Sequence, residues 1–322
     1  MLKRFLIAAA CLAVALPAHA ADIVLKAAHT NAAGEPQDEG LKILKAKLEA
    51  ATGGKATIEI FANGVLGNEL QLIEGMALGT IDIVVPSNAA FTNFVPEMRI
   101  FDMPFLFKDM DHMSRVVSGP VFEELKPGAQ KKGFRLLAIY SSGIRHIMTK
   151  QPIAKIEDMK GLKIRTMQNP IHLDAFKAFG ANATPMAYNE LYGALQTGVV
   201  DGAEAANTNY SAQKFYEVAK NWAMIGWLNL TAPVVISDKK FQSLPPDIQA
   251  ALAKAALESA VEERKIVVAT DQPLLEGLKA RGVQVTQPDT APFRKAVKSV
   301  YDKFLTTELD KKMLAQIEAA AQ

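Results

Sequence analysis

The chain has 322 residues, and its 36 basic and 34 acidic side chains give a formal net charge of +2 at neutral pH. Charges this nearly balanced, with no cluster of lysine or arginine, argue against a partner that is nucleic acid or an anionic membrane surface. The length is ample for two domains, each with a core of its own.

Residues 1–20 are predicted to form a secretory signal peptide. Lys3 and Arg4 precede an apolar run, residues 5–16, which is too short to span a bilayer and is followed by small residues up to Ala20. We expect cleavage after about Ala20 and a periplasmic protein with no membrane-embedded segment. Cleavage removes two basic residues and Cys11, the only cysteine, and leaves 34 side chains of each charge. The mature protein then has no disulfide, thiolate metal site or cysteine nucleophile.

The first part of the mature chain alternates between predicted strands and helices. Apolar periodicity predicts strands at residues 23–28, 58–60 and 81–85, with helices at about 41–52 and 69–78 between them. This order predicts parallel pairing with helices on both faces of the sheet. Ligands of such sheets bind where strands end, so the loops after His29 and Val85 are candidate ligand loops.

An aromatic block, residues 94–107, is interpreted as packed core, and a predicted helix at 111–125 and strand at 134–140 complete the first lobe. A second alternation begins at Arg145, with predicted strands at 163–166 and 199–202 and helices at 171–179 and 189–197. After it come a strand at 233–237, a long helix up to about 278, a strand at 283–286 and helices from 292 to 320. The strand at 233–237 is expected to return to the first sheet. The chain is therefore predicted to have an α/β fold in two lobes, braced by the long helix.

Motifs for catalysis are missing from the sequence. The mature histidines, His29, His112, His146 and His172, are scattered and lack the spacing of a zinc helix. Phosphate loops, dinucleotide loops and nucleophile elbows do not occur. We therefore predict a protein that is not an enzyme, with no catalytic residue, metal or cofactor.

Arg165 is the first candidate for ligand binding. Arginine occurs only nine times in the chain, and Arg165 ends a short apolar strand where a loop begins. A planar guanidinium binds a carboxylate through two parallel hydrogen bonds, which lysine cannot reproduce. The alternative is a structural ion pair within the lobe.

Several segments, taken in order, resemble the solute-binding family of tripartite ATP-independent periplasmic (TRAP) transporters. They are the signal peptide and residues 66–69 (LGNE), 79–82 (GTID), 101–107 (FDMPFLF), 160–165 (KGLKIR), 185–188 (PMAY) and 194–204 (ALQTGVVDGAE). The resemblance covers essentially the whole mature chain. It implies the two-lobe periplasmic-binding-protein fold, with mixed sheets flanked by helices and a hinge between the lobes.

The resemblance also implies how the chain is divided and what it binds. Lobe I is expected at residues 21–142 plus 231–270, and lobe II at 143–230 plus 271–322. The partners are a small organic acid and the small and large membrane subunits of a sodium-driven TRAP permease, with no nucleic acid. We expect the receptor to be a monomer.

Second-lobe site residues follow from the same resemblance. Arg165 matches the arginine that clamps the ligand carboxylate, and Arg145 matches a second cationic position, with an ion pair at the lobe edge as its alternative. Gln168 matches a position that hydrogen-bonds the ligand. Tyr188 stands where an aromatic side chain packs beside the ligand, with ordinary core packing as the alternative.

Further positions are implied less directly. Glu69, His29 and Asn88 lie on first-lobe loops that face the cleft in relatives, with solvated loop residues as the alternative. Many relatives carry an asparagine directly after the Asp-Gly-x-Glu run, whereas this chain has Ala205 and Ala206 there. The amide role is therefore assigned to Asn207.

This polar inventory suits a hydroxylated acid such as a uronate or an aldonate. A C4-dicarboxylate is the alternative if Arg145 binds a second carboxylate, and an aromatic or keto acid if Trp227 and Tyr188 line the cleft. A periplasmic lyase or isomerase, with Tyr188 or His29 as base, is the alternative of another class. A receptor for an ATP-driven importer or a sensor kinase is a third possibility.

Overall fold

The computed structural model of the protein describes residues 21–321. The predicted signal peptide, with Cys11, lies outside the described residues. The strands are β1 (Ile23–Ala28), β2 (Ala56–Phe61), β3 (Ile83–Val84), β4 (Phe134–Thr149), β5 (Lys163–Thr166), β6 (Asn182–Pro185), β7 (Gly202–Ala205), β8 (Asn221–Ser237) and β9 (Gln284–Thr286).

The helices lie between and after these strands. They are α1 (Pro36–Thr52), α2 (Glu69–Leu78), α3 (Asn88–Phe91), α4 (Met110–Val117), α5 (Pro120–Lys131), α6 (Pro170–Ala178), α7 (Leu191–Thr197), α8 (Asn207–Ala212), α9 (Asp238–Ser243), α10 (Pro246–Ala280), α11 (Ala291–Ala296), α12 (Lys298–Phe304) and α13 (Glu308–Ala319). None of them, within residues 21–321, has both the length and the apolar character needed to cross a membrane.

The strands form one mixed sheet in the order β2-β1-β3-β8-β4-β7-β5-β6, with β9 paired to β8. β1 runs parallel to β2 and β3, which confirms the pairing predicted from the strand-helix order. At the other end, β5 runs parallel to β6 and β7. The antiparallel pair β4 and β8 joins these two parallel groups. The predicted two-lobe α/β fold is confirmed, and both lobes share one sheet.

β4 and β8 cross between the lobes, with lengths of 16 and 17 residues. The sequence predicted only their outer ends, and the predicted return of residues 233–237 to the first sheet is confirmed by pairing of β8 with β3. The β4–β8 register shifts between Ser141 and Ile144. At this irregularity Gly143 has φ 78°, and a Cβ there would lie 2.7 Å from the Ala206 side chain. Only glycine fits this crossover.

Each half of the sheet has its own core. Leu41, Leu44 and Leu48, at the helical spacing seen in the sequence, pack α1 onto the first half, together with Leu252 of α10. The second half buries residues such as Trp227, Phe176 and Ile164. The aromatic block is buried as predicted, because Ile100, Phe101 and Phe107 belong to a first-half core.

α10 has 35 residues and contacts both halves, as predicted for a bracing helix. Its first part packs on α1, while Leu275 and Leu278 belong to a second-half core. The last helix, α13, returns to the first half, where Arg99 donates to Asp310 at 2.5 Å and Met313 is buried. The predicted lobe boundaries stay a prediction, and these contacts favour placing α13 with lobe I.

One strand lies later than predicted. The sequence placed it at residues 199–202, whereas β7 is Gly202–Ala205. Gly198 ends α7 in the left-handed region with φ 79°, and Val199 after it is 56% exposed. Residues 199–201 therefore connect the end of the helix to the sheet, and strand pairing begins only at Gly202.

Candidate functional site

A cavity lies beside the ends of β1, β3 and β5, between the two halves of the sheet. Its empty volume, which includes space open to solvent, is about 370 Å³. The first half contributes Thr30, Asn31, Gln37, Glu69, Val85 and Ser87, and the second half contributes Ser142, Arg145, Arg165, Met167, Tyr188 and Asn209. The loops after β1 and β3 thus reach the cavity, at the edge where parallel sheets bind their ligands.

Two buried arginines flank one carboxylate in this cavity. Arg145 Nε donates a hydrogen bond to Glu204 Oε2 at 2.6 Å. Arg165 Nη1 lies 3.6 Å from Glu204 Oε1, which is too far for a hydrogen bond. All three side chains are at most 2% exposed. Two cations and one anion leave this cluster with one positive charge.

The strand order explains the cluster. Arg145 lies on β4, Glu204 on β7 and Arg165 on β5, and β7 runs between the other two strands. An acidic side chain on the middle strand is therefore flanked by a basic one from each neighbour. The sequence contains all three residues, but only strand pairing reveals that they meet.

The two arginines differ in how fully they are bonded. Besides Glu204, Arg145 donates from Nη1 to the Ser142 carbonyl at 3.2 Å and to Asn209 Oδ1 at 2.6 Å. Arg165 Nε donates to the Met186 carbonyl at 2.9 Å, but its buried Nη1 has no hydrogen-bond partner. Arg145 thus forms an ion pair, which was the alternative to its predicted ligand role, whereas Arg165 has a buried donor without a hydrogen-bond partner among residues 21–321.

Burial and charge set the protonation states here. Burial alone would raise the pKa of the Glu204 carboxyl, but the Arg145 and Arg165 guanidinium groups bring that pKa below its usual value. Burial lowers the pKa of Arg165, against the opposing effect of the Glu204 and Glu69 charges. An arginine nevertheless keeps its proton near neutral pH. The cluster is therefore cationic at neutral pH.

Glu69 lies at the first residue of α2 on the opposite wall. A capping box fixes this helix start, because Asn68 accepts from the Gln71 backbone and Gln71 accepts from the Asn68 backbone. Glu69 accepts hydrogen bonds from Ser87 N at 2.5 Å and Ser87 Oγ at 2.9 Å. Burial raises the pKa of Glu69, although the bonds from Ser87 oppose the shift. The predicted site residue Glu69 thus lines the cavity, in contact with Ser87.

Tyr188 is the other predicted residue at the cavity. Its ring lies 6.0 Å from the Arg165 guanidinium and its buried hydroxyl has no hydrogen-bond partner. Burial, followed by the Glu35 charge, raises the pKa of Tyr188 well above its usual value. The hydroxyl therefore stays protonated and is available as a donor.

Three predicted residues lie outside the cavity lining. Gln168 is exposed, and its backbone carbonyl accepts from the Asn93 side chain at 2.9 Å. The His29 ring contacts Asp38 Oδ1 at 3.2 Å. Asn88 donates to the Met98 carbonyl at 3.0 Å. The structure therefore does not bring these three side chains together with the arginines.

Asn207 also lies away from the cavity, and Asn209 takes the expected place. Asn207 donates to Asp271 Oδ1 at 3.0 Å and accepts from Trp222 Nε1 at 2.9 Å, so both ends of its amide are used in packing α8. Asn209, two residues further along α8, lines the cavity and accepts a hydrogen bond from Arg145. The asparagine in the expected place is therefore Asn209, two residues beyond Asn207.

Sequence reasoning missed several cavity residues. Glu204 was part of a family motif without an assigned role, while Asn209, Gln37 and Ser87 carried no individual signal. Ser87 lies in the loop after β3, so the rule that ligands bind at strand ends would have found it, whereas Gln37 lies in α1. Asn209 could be identified as a cavity residue only once the position at which α8 begins was known.

A larger crevice, with an empty volume of about 930 Å³, lies beside α10. Its lining is mostly apolar, and Glu35 is its only ionisable residue. The arginines are absent from that lining, so the smaller cavity is the candidate carboxylate site. Within residues 21–321, no group of three or more His, Cys, Asp or Glu side chains is placed to hold a metal ion.

Comparison with known proteins identifies the family of this chain. The family model described as bacterial extracellular solute-binding protein, family 7, matches residues 27–308. The chain is 36% identical over 262 residues, 80% of each chain, to the 2,3-diketo-L-gulonate-binding periplasmic protein of Escherichia coli K12.

Two solved structures are similar over nearly the full length. A TRAP periplasmic solute-binding protein from Xanthobacter autotrophicus with bound β-D-galacturonate has a TM-score of 0.89 and 34% identity, covering 92% of this chain and 99% of that one. A TRAP protein from Polaromonas with D-erythronate has a TM-score of 0.88 and 35% identity, covering 92% and 98%. The protein therefore belongs to family 7 of the bacterial extracellular solute-binding proteins, the solute receptors of TRAP transporters.

Proposed function

We propose that this receptor binds a sugar acid, a uronate or an aldonate, in the cavity between its lobes and passes it to a TRAP permease. Arg165 binds the carboxylate and Tyr188 contacts the rest of the ligand, while Asn209 accepts a hydrogen bond from Arg145 and holds it in place. Arg145 and Glu204 hold the wall against which the carboxylate lies.

The observation that carries this proposal is the buried Arg165 Nη1 atom with no hydrogen-bond partner. Leaving a buried donor unbonded costs about 1–3 kcal/mol, and more for a charged group. A ligand carboxylate removes that cost and adds a charge-assisted hydrogen bond. Because Arg165 Nε is fixed on the Met186 carbonyl, the guanidinium already has a defined plane.

The bonding of Arg145 favours a monocarboxylate over a C4-dicarboxylate. Its Nε and Nη1 atoms donate to Glu204, Ser142 and Asn209, and Nη2 lies 3.4 Å from the Glu204 carbonyl. A second carboxylate would have to displace these partners. An aromatic acid is disfavoured too, because Trp227 is fully buried against His172 and Phe176, away from the cavity. The galacturonate and erythronate bound by two similar proteins support the same ligand class.

Binding is coupled to closure of the lobes. The cavity is lined from both halves, so a ligand gains its full set of contacts only in the closed form and shifts the population toward it. Burying the ligand charge is tolerable because it is paired and hydrogen-bonded. The permease then binds the closed receptor.

Capture without conversion is the expected chemistry. The raised pKa of Tyr188, caused by burial and then by the Glu35 charge, leaves it protonated and unsuited as a base. His29 lies outside the cavity lining and contacts Asp38. Neither of the bases named for a lyase or isomerase is therefore available, and we expect a bound acid to be returned unchanged.

We further propose that the receptor acts in the periplasm as a monomer, after cleavage of residues 1–20 at about Ala20. The family to which it belongs consists of extracellular solute-binding proteins. Mass spectrometry of protein secreted into the periplasm measures the first residue of the mature chain. A mature chain that begins at Ala21 supports this part of the proposal, and one that retains Lys3 and Arg4 contradicts it.

A thermal-shift screen tests the proposed ligand class. D-Galacturonate, D-glucuronate and D-erythronate are compared with succinate and with D-galactose, the neutral match to D-galacturonate. A tight ligand raises the melting temperature through mass action. We expect a rise with one or more sugar acids and none with D-galactose. An equal rise with D-galactose, or a rise with succinate alone, contradicts the proposal.

A further inference from the structure

Glu35 is a buried carboxyl that links the two halves of the protein. It lies in the loop between β1 and α1 and is 5% exposed. Its Oε2 accepts a hydrogen bond from Asn209 Nδ2 at 2.8 Å, across 174 residues of sequence. Its Oε1 has no hydrogen-bond partner. Glu35 lines the apolar crevice and Asn209 lines the cavity, so this pair separates the two spaces.

The bond fixes the orientation of the Asn209 amide. Asn209 donates from Nδ2 to Glu35 and accepts at Oδ1 from Arg145 Nη1, at 2.6 Å. A reversed amide would direct its NH₂ group at a guanidinium, which has no acceptor. An acceptor at Glu35 is therefore what keeps the amide oxygen directed at Arg145.

We propose that Glu35 is a positioning residue: on lobe closure it accepts the Asn209 amide hydrogen and thereby holds Arg145 against Glu204 beside the ligand. When the lobes separate, Glu35 and Asn209 part, because they belong to different halves. Arg145 then loses an acceptor that it regains on closure. The inference rests on the proposed function, since a bound acid is what closes the lobes.

Closure also changes the protonation of Glu35. Burial raises its pKa to about 7, although the Asn209 bond, the Arg145 charge on β4 and the Ala32 backbone oppose the shift, and Asp38 of α1 adds to it. Tyr188 also faces Glu35 and is neutral. A solvated glutamate has a pKa of about 4.3. Closure therefore takes up a proton between about pH 4.5 and 7, and ligand affinity falls as the pH rises through this window.

Three variants separate the role of Glu35 from a general effect of the loop. Glu35→Ala removes the acceptor that orients Asn209, so affinity for D-galacturonate is expected to fall about ten- to a hundredfold, the effect of losing the hydrogen bond between Asn209 and the charged Arg145 guanidinium. Glu35→Gln keeps a carbonyl acceptor for Asn209 and is expected to bind within about threefold of wild type. Glu39→Gln, which alters a half-exposed carboxyl on α1 paired with Lys42, is the matched control.

Isothermal titration with D-galacturonate in buffers of different ionisation enthalpy measures both affinity and proton uptake. At pH 6 wild type and Glu39→Gln are expected to take up protons on binding, whereas Glu35→Gln takes up fewer. The inference is overturned if Glu35→Ala binds like Glu39→Gln, or if Glu35→Gln takes up as many protons as wild type.

A second measurement keeps the test independent of the ligand. If wild type binds no sugar acid, the proposed function fails, and melting temperatures of the unliganded proteins still decide the inference. Glu35 is solvated in the open, unliganded form, so the difference in melting temperature between wild type and Glu35→Gln is expected to stay constant from pH 5 to 8. A difference that changes across this range overturns the inference, because Glu35 would then be buried without closure of the lobes.

Discussion

Arg165 Nη1 lies 3.6 Å from the Glu204 Oε1 atom, beyond hydrogen-bond reach, although both groups are buried. The same carboxylate accepts a 2.6 Å bond from Arg145 at its other oxygen. Glu204 thus accepts a hydrogen bond from one arginine and leaves a buried donor of the other without a hydrogen-bond partner among the described residues.

Replacing Arg165 tests its role in carboxylate binding. Arg165→Lys keeps the charge but loses the two parallel donors, so we expect ligand affinity to fall by about 1.5–3 kcal/mol, and Arg165→Ala to abolish the ligand-induced rise in melting temperature. Thermal-shift titration with D-galacturonate measures both. Arg281→Lys, at an exposed arginine, is the control. An Arg165→Ala protein that unfolds instead supports the structural ion pair.

Replacing Glu204 is expected to destabilise the fold itself. Glu204→Gln leaves two buried guanidinium groups without a counter-charge, and breaking a buried ion pair in this way costs about 3–5 kcal/mol. Urea unfolding at pH 7 measures the loss. A change below about 1 kcal/mol would contradict this assignment.

Glu204 also makes stability depend on pH in the acid range. Its pKa is lowered in the folded protein, because the effect of Arg145 and Arg165 exceeds that of burial. Its contribution is therefore present above the unfolded pKa of about 4.3 and is lost as the pH falls below it. Unfolding free energies of wild type and Glu204→Gln should converge toward acid pH. Parallel profiles would show that Glu204 does not titrate differently on folding.

The two asparagines of α8 should respond differently. Asn207→Ala leaves Trp222 Nε1 without its acceptor, at a cost of about 1–3 kcal/mol in stability, while binding by the folded protein is retained. Asn209→Ala is expected to weaken binding, because Arg145 loses an acceptor. Unfolding and titration calorimetry of both variants separate the effects. The opposite pattern would return the ligand role to Asn207.

Tyr188→Phe tests the unpartnered hydroxyl. Without ligand it should leave stability within about 0.5 kcal/mol, because no protein bond is lost. With ligand, the loss of one hydrogen bond should cost about 0.5–1.5 kcal/mol in affinity. Calorimetric titration of wild type and variant decides this. Unchanged affinity would place the hydroxyl outside the ligand contacts.

Local sequence patterns predicted much of the fold. Helix α2 and strand β5 have the predicted bounds. An asparagine cap starts α2 and a glycine ends it, and β5 is the four-residue segment KIRT that leads into the loop after Thr166. The central lengths of β4 and β8 were not predicted. Their inner residues include polar and small side chains around Gly143, whose partners come from the opposite strand rather than from nearby sequence.

The site was only partly predicted, because some of its residues are brought together by tertiary packing. Arg165 and Arg145 were identifiable as rare arginines at family positions, and both line the cavity. Asn209 depends on the turn by which α8 leaves β7, and Glu204 on the order of three strands. Such relations are set by tertiary packing, so a single sequence does not contain them as a local pattern.

A crystal structure of the receptor with D-galacturonate tests the central claim most directly. We expect the ligand carboxylate to lie within about 3 Å of the Arg165 guanidinium nitrogens, the usual length of a charge-assisted hydrogen bond, with Arg145 still bound to Glu204. A structure in which Arg165 has turned to bind Glu204, and the ligand carboxylate contacts other residues, would contradict the account.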